Sequence, residues 1–350
     1  MSKFLSSAFS SLAPYTPGEQ PQNRKYIKLN TNESPFPPAP GVISAVNSDR
    51  VSELNLYSDP QASVLINAIA ENFGVSSDMV TVGNGSDELL AFSFMAFCEN
   101  GVAYADITYG FYEVYAELFR LDSKVIPLSE KFQVIPDDYK KLGRTIFIAN
   151  PNAPTGLILS LPQIEEILSA NRDTLVVIDE AYVDFGGESA IKLINKYDNL
   201  LVIGTFSKSR NLAGARIGYA VSSPAIIEDL GKMKFSFNPY NLNRLSIIAG
   251  TEAMKDRAYF EKCTGLVKDA RAYTTKELSA LGFEILDSKA NFIFAKNPAI
   301  GGKDYYLKLK ECGILVRWFN RDRIRDFVRI TIGTHGQMKA LIDATREILK

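Results

Sequence analysis

Several short runs of this chain are apolar at nearly every position rather than at every second one. They are Val102-Ala-Tyr104, Thr145-Ile-Phe-Ile-Ala149, Thr174-Leu-Val-Val-Ile178, Leu200-Leu-Val-Ile203 and Ile217-Gly-Tyr-Ala-Val221. A strand with one wet face alternates apolar and polar side chains. These runs have no wet face, so they predict strands of a mainly parallel sheet covered by helices on both sides. Helical spacing in the segments between them agrees, at Tyr109–Phe119 and Leu161–Ala170. Met79-Val-Thr-Val82 and Lys124-Val-Ile-Pro127 read as further strands, and Ala62–Phe73 as an amphipathic helix.

The pattern changes on either side of this block. Residues 1–40 are rich in proline and glycine around one short strand, Tyr26-Ile-Lys-Leu29, and predict an arm that packs with a smaller domain. Pro35, Pro37, Pro38 and Pro40 exclude regular structure there. After about residue 240 a long charged helix, Ala253–Leu281, leads to strands 283–286, 291–295, 314–318 and 327–332, with helices between and after them. The expected division is an arm at 1–40, a large α/β domain at 41–245 and a small α+β domain at 246–350.

Charge and composition narrow the function. The formal net charge is −1, which leaves no basic excess for a nucleic-acid backbone. No run of eighteen or so apolar residues occurs, and the first residues lack the apolar stretch of a signal peptide, so neither a membrane span nor export is expected. The cysteines, Cys98, Cys263 and Cys312, are scattered, as in a reducing cytoplasm. The one histidine, His335, excludes multi-histidine metal sites and reads as a cap or surface residue of the last helix. No metal is expected.

Ligands of parallel sheets sit at the carboxyl ends of strands. The chemistry-bearing residues fall there. Thr205-Phe-Ser-Lys-Ser-Arg-Asn-Leu-Ala-Gly-Ala-Arg-Ile-Gly-Tyr219 joins two apolar strands and carries Ser207, Lys208 and Arg216. An amine between a hydroxyl and a guanidinium suits a phosphorylated aldehyde, and pyridoxal 5′-phosphate is one. Asp179 follows Leu175-Val-Val-Ile178 directly. A carboxylate so placed takes a positive partner, and a protonated pyridine nitrogen would serve, although helix caps share this position. Gly83-Asn-Gly-Ser-Asp-Glu88 is a glycine turn into a helix, with Ser86 or Asp87 as the expected cap, and such a helix start binds anions. Arg317 and Arg329 interrupt apolar strands; each either meets an anion or faces solvent on the alternate position. Tyr15, on a proline-bounded turn, either packs or reaches a ligand.

Taken in order, Gly-Asn-Gly-Ser-Asp-Glu (83–88), Asn-Pro-Asn-Ala-Pro-Thr-Gly (150–156), Asp-Glu-Ala-Tyr (179–182) and the 205–219 stretch resemble the fold-type I, class II aminotransferases. Leu29-Asn-Thr-Asn-Glu33, Tyr57-Ser-Asp-Pro60, Asn238-Pro-Tyr-Asn-Leu-Asn243 and Val328-Arg-Ile-Thr-Ile-Gly-Thr334 extend the resemblance to the histidinol-phosphate aminotransferase group. It implies a seven-stranded-type sheet in a large domain beside a smaller α+β domain. It also implies pyridoxal phosphate carried on Lys208, its ring nitrogen paired with Asp179, and its ring hydroxyl met by Tyr182. By the same resemblance Tyr109 stacks on the ring. The backbone at Gly85, Ser86 and Asp87 holds the phosphate together with Ser207 and Arg216. Tyr57 crosses a homodimer interface to the partner's cofactor phosphate. Tyr15, Arg317 and Arg329 grip the substrate anion.

Two departures from the family pattern stand out. Ala153 replaces an asparagine that contacts the ring hydroxyl, so Asn152 substitutes for it or Tyr182 acts alone. Ser209-Arg-Asn211 stands where small or aromatic residues and glycine are usual. The implied reaction passes an amino group from histidinol phosphate to 2-oxoglutarate. The competing readings are a broad or aromatic aminotransferase, a threonine-phosphate-type decarboxylase on the same fold, and a non-catalytic cofactor-binding regulator.

Overall fold

The computed structural model describes residues 4–22 and 24–350. Residues 1–3, the start of the expected arm, lie outside the described residues. The arm contributes β1 (Ile27–Lys28) and then turns into α1 (Pro40–Ala45) and α2 (Ser48–Val51). Pro40 therefore opens a helix rather than excluding one. It occupies the first turn, where the missing N–H is no loss.

The central block runs α3 (Ser63–Phe73), β2 (Val80–Asn84), α4 (Ser86–Phe97), β3 (Val102–Ala105), α5 (Phe111–Leu118), β4 (Ser123–Ile126), β5 (Thr145–Ala149), α6 (Leu161–Ala170), β6 (Val176–Asp179), β7 (Leu200–Thr205) and β8 (Ile217–Val221). These strands form one seven-stranded sheet in the order β2-β8-β7-β6-β5-β3-β4. Only β8 runs against its neighbours; the remaining contacts are parallel. Alternate residues of one strand enter different cores. Leu200 and Val202 join the cluster under α3 and α6, and Leu201 and Ile203 join the one under α4 and α5. This is why the strands read as apolar throughout. Each fully buried aliphatic side chain contributes about 1.5–3 kcal/mol.

Next come α7 (Pro224–Phe237), α8 (Arg244–Lys255) and α9 (Arg257–Ala280). The single helix expected at 253–281 is in fact two, broken at Asp256, whose carboxylate caps the second by accepting from the Tyr259 N–H at 3.0 Å. Helix α8 packs on the large sheet through Ile247, Ala249, Ala253 and Met254, so that core continues past residue 245 to the Asp256 elbow. The chain ends with β9 (Glu284–Ile285), β10 (Phe292–Lys296), α10 (Gly302–Glu311), β11 (Ile314–Leu315), β12 (Arg317–Trp318), β13 (Val328–Thr331) and α11 (His335–Ile348). The strand expected at 314–318 splits in two. β11 pairs in parallel with the arm strand β1, and β12 joins the antiparallel sheet β12-β13-β10-β9. His335 opens the last helix and packs its ring, tilted by 51°, against Tyr273 with the ring centres 4.4 Å apart, and Thr334 is the cap.

One glycine shows how tightly the large sheet meets α4. A Cβ on Gly218 would lie 2.4 Å from the Ser86 backbone nitrogen and 2.5 Å from the Gly85 carbonyl carbon. Neither backbone group can swing aside. Gly218→Ala is expected to cost about 1–3 kcal/mol in urea unfolding and to displace the 85–86 turn. An unchanged unfolding midpoint would contradict this close packing.

Candidate active site

A cleft of about 620 Å3 opens where β5, β6 and β7 end, roofed by the arm and by β12 and β13. Lys208 lies three residues beyond the end of β7 and lines it. Among the described residues its Nζ makes only a long 3.4 Å bond, to the Thr31 carbonyl. Burial, and then the charge of Arg329, bring its amine down to about 8. An amine in that range is neutral often enough near pH 7–8 to act as nucleophile or base.

Asp179 is the last residue of β6 and lines the cleft floor. Tyr112 donates to its Oδ2 at 2.9 Å and the Ala181 N–H donates to Oδ1 at 3.1 Å. Burial outweighs these bonds and pushes the carboxyl up to about 6. A cationic group against it would restore its charge. Next to it Glu180 points away, accepting from Ser189 and the Ala190 N–H; burial pushes it up to about 8. Tyr182 follows, its hydroxyl accepting from Asn32 at 3.0 Å, with the Lys208 amine 5.8 Å from its ring centre.

The glycine turn supplies an anion hold. The cap of α4 is Gly85, at φ 82°, and not Ser86 or Asp87. Among the described residues no side chain caps the first N–H groups of this helix, which leaves them open to a ligand. A Cβ on Gly85 would meet the Arg216 guanidinium at 2.5 Å. Arg216 pairs with Asp87 at 3.0 Å, and Asp87 also accepts from the Tyr109 hydroxyl at 2.7 Å. Ser207 completes the group; its buried Oγ has no hydrogen-bond partner among the described residues. Tyr109 lines the cleft beside them, and Tyr15 stacks on Phe111 at 4.3 Å and reaches the cleft from the arm.

Arg317 and Arg329 face one another in the β12–β13 register, and both line the cleft. Arg317 donates to the carbonyls of Thr16 at 2.9 Å and Pro17 at 3.1 Å, which fastens the arm over the site. Arg329 donates to the Asn30 carbonyl at 2.9 Å, and its Nε is buried without a partner.

The chain from 24 to 344 matches the family model described as aminotransferase class I and II. The chain belongs to the class I and II aminotransferases. A histidinol-phosphate aminotransferase of Brachyspira hyodysenteriae is 52% identical over 353 residues, covering 100% of both chains. One from a Marinomonas species is 49% identical over 99% of this chain and 100% of its own. Among solved structures, a histidinol-phosphate aminotransferase from Sinorhizobium meliloti in complex with pyridoxal-5′-phosphate superposes with a TM-score of 0.89. It is 23% identical and covers 100% of this chain and 98% of that one.

The cofactor of this aminotransferase is pyridoxal 5′-phosphate, and the site fits it. The unpartnered Ser207 hydroxyl and the open helix start suit its phosphate. The buried carboxyl of Asp179 suits a pyridinium, and the loosely held amine of Lys208 suits its aldehyde. Two expected residues stand elsewhere. Asn152 does not reach the cleft: its amide is spent on the Ile107 carbonyl at 2.9 Å and Thr155 at 3.1 Å, and its Oδ1 on Thr108 at 2.8 Å. It braces the 150–156 loop, while Ala153 lines the cleft beside Tyr182. Tyr57 is 78% exposed and stacks on Tyr240, outside its own chain's cleft. Sequence reasoning missed Tyr112 and Asn32. Tyr112 reads as an ordinary apolar-face residue, and only the match at 29–33 drew attention to Asn32.

Among the described residues, no group of three or more His, Cys, Asp or Glu is placed to hold a metal ion. Among them, too, no helix is long and apolar enough to cross a membrane.

Proposed function

We propose that this aminotransferase passes the amino group of L-histidinol phosphate to 2-oxoglutarate, giving imidazole-acetol phosphate and glutamate in histidine biosynthesis. The observation that carries this reading is the cross-strand pair Arg317 and Arg329. Like charges directly opposite on neighbouring strands destabilise a sheet. Backbone carbonyls answer them only in part, and the Arg329 Nε is left over. A substrate phosphate, with about −1.5 to −2 charge near neutral pH, compensates both guanidiniums. The carboxylate of a 2-oxo acid uses the same place in the second half of the reaction. The names of the relatives at 49–52% identity support the same substrate.

Bound in the cleft, pyridoxal phosphate supplies an electron-withdrawing ring for a carbanion beside it. The chain's residues do the rest. Lys208 takes the proton from the substrate carbon as base and returns it as acid. Asp179 keeps the ring nitrogen protonated, and Tyr112 holds Asp179 in place. Tyr182 meets the ring hydroxyl, and Tyr109 covers the ring. The N–H groups of Gly85, Ser86 and Asp87, with Ser207 and Arg216, hold the phosphate. Tyr15 closes the substrate end.

A homodimer belongs to this reading. Leu54, Leu56, Tyr57, Phe237 and Tyr240 are exposed, a surface that a second copy would cover. Tyr57 then reaches the partner's cofactor phosphate. A cytoplasmic setting agrees with the unbridged cysteines.

The test is a panel of amino donors with 2-oxoglutarate. Histidinol phosphate is expected to exceed histidinol and phenylalanine in kcat/KM by about a hundredfold or more, the difference being the phosphate grip. Equal rates with phenylalanine would make the enzyme a broad aminotransferase. Consumption of donor without a 2-oxo acid would make it a lyase.

A further inference from the structure

We propose that Arg210, assisted by Ser209, is a positioning residue for Lys208, tying the loop that carries the lysine to the elbow between α8 and α9. The inference rests on the reading of Lys208 as the cofactor lysine.

Lys208 makes one long hydrogen bond of its own, 3.4 Å to the Thr31 carbonyl. Its chain neighbours are held firmly. The Ser209 hydroxyl donates to the Asp184 carboxylate. Arg210 donates from Nη1 to the Ala253 carbonyl at 3.1 Å, and its guanidinium carbon sits 3.8 Å from the centre of the Phe260 ring. Ala253 belongs to the last turn of α8, where carbonyls lack helical partners and a positive charge is favoured. Phe260 belongs to the first turn of α9. One guanidinium thus grips the end of one helix and the start of the next, across the break at Asp256. Asn211 then reverses the chain with φ 59°, a left-handed conformation that asparagine tolerates, and the Leu212 N–H returns to the Phe206 carbonyl at 3.0 Å.

The ties close a triangle. Asp184 and Phe185 lie in the short turn that directly follows Tyr182. Arg271, further along α9, donates to the Phe185 carbonyl at 3.0 Å and to the Ala290 carbonyl. The turn after Tyr182 is therefore bonded both to the Lys208 loop and to α9, and the Lys208 loop packs on α9 through the Arg210 guanidinium on the Phe260 ring. Helix α9 also packs on β9, β10 and α11, beneath the sheet that carries Arg317 and Arg329. The fastening places the amine relative to both the ring-hydroxyl tyrosine and the substrate-side arginines. Lysine at 210 cannot both stack in a plane on Phe260 and donate sideways to a carbonyl, whereas arginine does both. This gives Ser209-Arg-Asn211 a role in this chain.

The experiment compares R210M, R210K and S209A with the wild type. It reads kcat and KM for histidinol phosphate, the Kd of the cofactor-free protein for pyridoxal phosphate, the pH midpoint of the bound cofactor's visible band, and Tm. A misplaced reacting group costs up to about a hundredfold in rate. R210M is expected to lower kcat at least about tenfold with KM within about twofold, to weaken cofactor binding and to move the pH midpoint. R210K recovers part of each, and S209A moves them less in the same direction. A lower Tm in R210M with wild-type kcat, Kd and pH midpoint makes Arg210 merely structural and overturns the proposal. If R210M does not fold, wild-type kcat and pH midpoint in R210K and S209A overturn it equally. Wild-type protein that binds no pyridoxal phosphate instead sinks the reading of Lys208; wild-type binding with unaltered variants sinks only the role of Arg210.

Discussion

Lys208→Ala is expected to lower kcat by at least about a thousandfold, because on the proposed reading it removes a nucleophile and the acid–base group together. Among the described residues lining the cleft, no second lysine or histidine stands in for it. His335 does not line the cleft and packs against Tyr273, and the other cationic groups lining the site are guanidiniums that stay protonated. The fold should survive, because the Lys208 amine makes one 3.4 Å bond and its removal relieves a buried charge. The sign of that relief is checkable in cofactor-free protein. The amine's folded pKa of about 8 lies below its ordinary 10.5, so the folded chain sheds the proton first as pH rises. Stability from this group therefore rises between about pH 8 and 10.5, and Lys208→Ala should flatten that rise. Normal turnover in Lys208→Ala would remove the lysine from the mechanism.

Asp179→Asn is expected to cost about a hundred- to a thousandfold in kcat, with little change in fold. Asparagine keeps the shape, and its single carboxamide oxygen can still accept from the Ala181 N–H while its NH2 turns to the Tyr112 oxygen, but it cannot hold a proton on a ring nitrogen. In the wild type the carboxyl is raised to about 6 from 3.8 by burial. Below about pH 6 it takes up a proton and loses its hold on a pyridinium, so cofactor affinity should fall as pH drops through that value. Without cofactor the sign reverses. A raised acid stabilises the fold at pH below 3.8, and that contribution is lost as pH rises through about 6. Asp179→Asn should show neither dependence. Titration of cofactor binding and of urea midpoints between pH 4 and 8 (a span of roughly two units either side of the shifted value) measures both. A mutant retaining the wild-type pH profile would place the titration elsewhere.

Much of this molecule is local information. The apolar runs that became β3, β5, β6, β7 and β8 read correctly because a strand buried on both faces records that burial at every residue. The motifs at 83–88, 179–182 and 205–219 lie at strand ends because glycine turns and the sudden appearance of charge mark where a strand leaves the core. So the sequence by itself determined the sheet, the placing of Lys208 and Asp179 at its edge, and the family. Tertiary structure decided which polar atoms meet. Tyr112 reaches Asp179 across 67 positions, and Asn32 reaches Tyr182 across 150. It also decided that Asn152 is spent on Ile107, Thr108 and Thr155, that Gly85 and not Ser86 caps α4, and that Arg317 and Arg329 stand opposite one another. Periodicity reports whether a side chain is buried, which each position carries in its own chemistry. A hydrogen bond depends on angles and distances between segments remote in sequence, and these exist only once the sheets, the arm and the α8–α9 elbow have packed.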